Sequence, residues 1–74
     1  MTDLALGLIL KEMYDNAPKN EQVANIHLFG IKYADDIKRE GFKATEIIRT
    51  SGLQKSYSVE LSKGMKLSKY VKLK

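Results

Sequence analysis

Lys43-Ala44-Thr45-Glu46-Ile47-Ile48-Arg49-Thr50-Ser51-Gly52-Leu53-Gln54-Lys55-Ser56-Tyr57-Ser58-Val59-Glu60-Leu61 sets the architecture of this chain. From Lys43 to Ser51 the apolar residues Ala44, Ile47 and Ile48 recur at three- and four-residue spacing, and Glu46 stands in the first turn; both features predict a short helix. Gly52 then stops it, because glycine is the residue that enters the left-handed conformation at a helix end without steric penalty. Leu53 follows as an apolar plug beneath the turn. A second helix is predicted from Gln54 to about Lys63, with Tyr57, Leu61 and Val59 as its candidates for the inner face and Gly64 as its end.

Working outward, Thr2 to about Asn16 reads as a helix whose stripe is Leu6, Ile9, Leu10, Met13 and Tyr14, widened by Leu4 and Leu8. Thr2 or Asp3 supplies the oxygen that caps its start. Pro18 breaks it, disfavouring helical geometry at Ala17, and is itself a candidate first residue of the next helix. That helix, about Asn20 to Arg39, puts Val23, Ile26, Gly30, Tyr33 and Ile37 on one face with Phe29 and Ala34 beside them, while Asn25 and Lys32 fall away. Gly30 in its interior predicts a close helix crossing, and Gly41 a left-handed cap. Met65 to Lys74 fits both a strand and a helical turn.

Seventy-four residues make one domain, divided here into scaffold (1–41), helical pair (43–63) and basic tail (64–74). The composition, 43% hydrophobic and 30% charged, is that of a globular chain. With no Cys and one His there is no thiolate metal site, disulfide or cysteine nucleophile, and no metal or cofactor is expected. Asp35 and Asp36 are adjacent, so on a helix they point about 100° apart and do not share a site. His27 reads as a surface or boundary residue, and Tyr14, Phe29, Tyr33 and Phe42 as core or dimer contacts. No catalytic set emerges, and the chain is not read as an enzyme. Nothing in it reads as a secretory signal or membrane span, so a soluble cytoplasmic protein is expected.

Charge is unevenly placed. Residues 1–37 hold three Lys against six carboxylates, whereas residues 38–74 hold ten Lys or Arg against three Glu. A basic segment on an otherwise acidic small domain is the electrostatic footprint of a polyanion partner.

Residues 43–61 resemble the helix-turn-helix of bacterial and phage DNA-binding proteins, a likeness carried by Gly52-Leu53-Gln54-Lys55-Ser56-Tyr57, then Leu61 and Lys63-Gly64, over about 20 of 74 residues. Val23 to Ala34 is also similar to small bacterial proteins of helix-turn-helix type. Two positions depart from the pattern. Ile48 stands where a small residue is usual, which implies a looser crossing or a shifted register, and Ser58 replaces the apolar residue usual after Tyr57. The resemblance implies an all-α domain of four helices, sequence-specific binding of double-stranded DNA, and a role as a small regulator of transcription or mobile-element protein. Gln54, Lys55, Ser56 and Glu60 then become base readers, since Gln pairs with adenine, Lys with guanine and Glu with cytosine. Lys43 and Thr45 would meet phosphate at a helix start, and Lys63, Lys66, Lys69, Lys72 and Lys74 would neutralise further phosphates. A strand in the tail would form a wing. Two half-sites favour a homodimer, with the Leu-rich first helix as its interface. The alternative is a protein–protein interaction module with this fold and no DNA contact; an aromatic-studded RNA-binding strand is missing.

Overall fold

In a computed structural model that describes residues 1–73, the chain forms four helices: α1 (Asp3–Asp15), α2 (Gln22–Glu40), α3 (Ala44–Ser51) and α4 (Tyr57–Leu67). No strand forms among the described residues, so the tail makes no wing there. Helical geometry continues through Leu67 and ends in a turn where the Tyr70 N–H donates to the Leu67 carbonyl at 2.9 Å. Lys74 lies outside the described residues.

Local chemistry explains most boundaries. The Thr2 hydroxyl accepts from the Ala5 N–H at 3.0 Å and caps α1. Pro18 does not open α2. Its carbonyl accepts from the Glu21 N–H, and Asn20 between them adopts φ 69°, so helical geometry begins only at Gln22. Gly41 and Gly52 end α2 and α3 at φ 75° and 79°. Lys43 precedes α3, and its backbone N–H donates to the Glu46 carboxylate at 3.0 Å.

The helices pair as α1 on α3 and α2 on α4 around one core of Leu6, Leu10, Ile26, Phe29, Ile37, Ile47, Ile48 and Leu61. Tyr14, Tyr33, Phe42, Leu53 and Tyr57 close its edges. Each pair crosses at glycine. A Cβ on Gly7 would overlap the Thr50 hydroxyl and lie 2.8 Å from the backbone N of Ser51. A Cβ on Gly30 would lie 2.8 Å from the Met65 N, and one on Gly64 would lie 2.9 Å from the His27 Cα. Gly64 therefore does not end α4, as the sequence suggested. It sits inside the helix because only a residue without a side chain lets α4 approach α2 this closely.

The start of α4 is also displaced, from Gln54 to Tyr57. Between Gly52 and Ser56 the chain makes a longer turn, closed by the Tyr57 N–H on the Gln54 carbonyl and the Ser58 N–H on the Lys55 carbonyl, both 3.0 Å. The departure at Ile48 finds its reason here. Ile48 is part of the buried core, so a large apolar side chain is accommodated at this position. Val59, a candidate for the inner face, is instead 57% exposed. Asn25, expected to fall away from the core, donates to the Met13 carbonyl at 2.7 Å and ties α2 to α1.

Candidate nucleic-acid interface

The turn between α3 and α4 is shaped from beneath by a buried hydroxyl. Ser51 donates to the Ile48 carbonyl at 2.6 Å and accepts from the Leu53 N–H at 3.1 Å. Together with the left-handed Gly52 it sends Leu53 inward against the core and leaves Gln54, Lys55 and Ser56 exposed. The Ser58 hydroxyl donates to the Lys55 carbonyl at 2.8 Å and steadies this turn from α4. Gln54, Lys55 and Ser56 thus stand in the turn ahead of the helix, not on its first turn.

A trough runs beside α3 and α4. At one end a groove of about 560 Å³ is lined by Thr45, Glu46, Ile48, Arg49, Gly52, Leu53 and Lys55. Thr45 also borders the next stretch, where Lys43 and Ala44 face Ser58, Val59 and Ser62 of α4. Ala44 and Ser62 continue it to Lys38, Met65, Lys66 and Lys69. Six cations line this path, Lys38, Lys43, Arg49, Lys55, Lys66 and Lys69, against one carboxylate, Glu46. None of the six pairs with a carboxylate among the described residues. The Ala44 and Thr45 N–H groups, in the first turn of α3, lack intrahelical partners as at any helix start. An extended row of free cations beside such donors attracts a polyanion.

Lys43, Thr45, Lys55, Lys66 and Lys69 are brought to this one trough. Gln54 and Ser56, on the turn next to Lys55, do not line it, and Lys63 and Glu60 lie away from it. Glu60 turns toward α2, where its carboxylate meets His27 Nε2 at 2.8 Å on one oxygen and Lys63 Nζ at 3.5 Å on the other. The hydrogen bond from His27 holds the Glu60 carboxyl below the usual carboxylate range. Partial burial opposes this, and the nearby Lys63 charge adds to it. Lys63 borders a separate surface with His27, Lys66, Leu67 and Tyr70. Tyr70 is 82% exposed, whereas Tyr57 is packed, its hydroxyl against that of Tyr14.

Three trough residues carry no expectation from the sequence, Lys38, Arg49 and Ser62, and a fourth, Val59, was expected on the inner face. Arg49 was within reach, since it lies four residues after Thr45 and shares its helix face. Lys38 was not, because it joins Lys66 and Lys69 only through the packing of α2 on α4. Among the described residues no cluster of His, Asp or Glu could hold a metal ion, and no helix is long and apolar enough to cross a membrane.

A family model described as an HTH-like domain matches residues 2–74. No curated protein and no solved structure matches the chain.

Proposed function

The chain belongs to the HTH-like domain family, and on that premise we propose that it binds double-stranded DNA in a sequence-specific manner, as a small regulator of transcription or a mobile-element protein. The observation that carries this reading is the row of six cations along the trough beside α3 and α4, none of them paired with a carboxylate among the described residues. Lysine and arginine on phosphate supply most of the affinity of such proteins, through release of condensed counterions.

The roles follow from position. Lys43 and Thr45 take a phosphate at the start of α3, with Lys66 and Lys69 on phosphates further along and Lys38 beside them. Gln54, Lys55 and Ser56 are exposed together at the tip of the turn and read base edges. Lys63 contributes from the far edge of α4. Glu60 reads cytosine only if it leaves His27 and Lys63; while it is paired there it positions α4. Two copies join through α1, whose Leu4 and Leu8 lie one turn apart and are 57% and 60% exposed. On this reading the protein works in the cytoplasm of a bacterial cell, where the DNA lies, and no catalytic role is assigned.

Titration of labelled random-sequence duplex DNA at two salt concentrations, with the wild-type chain and with Lys55→Glu, tests the reading. Affinity should fall steeply with salt and fall again in the variant. Indifference to both changes would leave a protein–protein interaction module as the better description.

A further inference from the structure

Val59 stands two positions before the fully buried Leu61, about 200° around α4, and so points almost directly away from the core. Its surroundings in the trough are Lys43, Thr45, Ser58 and Ser62, with Ala44 beside them. Lys66 follows at seven residues, on the same side of the helix and in the same trough. An apolar residue is thus centred on the outward face of α4 inside a polar and cationic rim. A cationic rim favours a polyanion over a neutral partner. It suits the major groove, where the cations reach phosphates on either side and the middle of the helix meets base edges. The apolar group that the major groove offers there is the 5-methyl of thymine.

We infer that Val59 reads thymine through its 5-methyl group. The inference rests on the DNA-binding reading above and adds to it a base and a contact. Valine suits the task because its two methyls sit on a side chain that is stiff at χ1, so little rotamer freedom is lost on contact. Ser58 is held by its bond to the Lys55 carbonyl and leaves Val59 as the outermost group of that turn. The sequence did not assign this role, because a helix starting at Gln54 placed Val59 among the candidates for the inner face.

Duplexes are first recovered from a random-sequence pool with the wild-type chain. Each is then prepared with thymine and with uracil, which lacks only the methyl, and titrated with wild type and with Val59→Ala. For the wild type, uracil should weaken binding roughly four-fold per contacted methyl, the fold-change of burying about one methylene. Val59→Ala should lose a similar factor on the thymine duplex and nothing further on the uracil duplex. Equal losses on both duplexes, or a wild type indifferent to uracil, would overturn the role of Val59 while leaving DNA binding in place. Recovery of no duplex at all would overturn the DNA-binding reading and this role with it. Because Val59 is exposed, unchanged helicity and Tm in the variant separate contact from folding.

Discussion

The hydroxyl groups of Tyr14 and Tyr57 meet at 3.2 Å, with their rings 5.6 Å apart and tilted by 54°, and so join the last turn of α1 to the first residue of α4. This contact spans 43 positions of sequence. The hydrogen bond to Tyr57 and partial desolvation raise the pKa of Tyr14 above its ordinary 10.0. Tyr14→Phe keeps the ring and removes the bond. Its Tm should fall by a few degrees, the scale of one hydrogen bond in a small domain. The combined Tyr14→Phe and Tyr57→Phe variant should fall little further, and full additivity in thermal melts would show that the two hydroxyls do not act together.

Gly64→Ala sets two effects against each other. Alanine favours the helix by about 1 kcal/mol. Its Cβ, however, would press on the His27 backbone, with the Cα at 2.9 Å, where no flexible side chain can yield. Overpacking of this kind costs about 1–3 kcal/mol. The clash should win, and urea unfolding of the variant should show a lower midpoint than the wild type. A midpoint that rises would show that α2 and α4 can separate freely.

Glu60 gives stability a pH dependence. Its carboxyl ionises more readily in the folded chain than in the unfolded one, because His27 and Lys63 favour the charged form. The contribution is therefore present above the ordinary carboxylate range and is lost as the pH falls through the lowered folded value. Glu60→Gln should have a lower Tm than the wild type at neutral pH, and the two should converge in acid. A gap of constant size across thermal melts from neutral to acid would assign the loss to packing instead.

Leu4→Glu with Leu8→Glu should separate a homodimer held through α1. Both side chains are exposed in the single chain, so helicity should be unchanged. Sedimentation equilibrium should show the wild type as a dimer and the variant as a monomer. A monomeric wild type at high micromolar concentration would remove α1 from the interface.

The elements most legible in the sequence are those whose limits are local. Thr2 caps α1, Gly41 and Gly52 end α2 and α3 in the left-handed region, and the Leu6–Leu10 and Ile26–Ile37 stripes face inward. Each depends on a side chain or backbone preference within one helical turn, which composition and spacing carry directly. The exposure of Gln54, Lys55 and Ser56 belongs with them, since Gly52 and Leu53 mark the turn.

Contacts between distant segments supplied the remainder. Gly64 reads as a stop signal until α2 is seen packed against it, and α4 starts only at Tyr57, after the longer turn closed on the Gln54 and Lys55 carbonyls. Glu60 looks like a free acceptor on a periodic pattern, yet His27 lies 33 positions away and claims it. Lys38 joins the basic trough, and Val59 turns out of the core, for the same reason. Periodicity fixes which residues share a helix face but not the rotation of that helix against its neighbours, and the rotation follows from close packing at Gly7, Gly30 and Gly64.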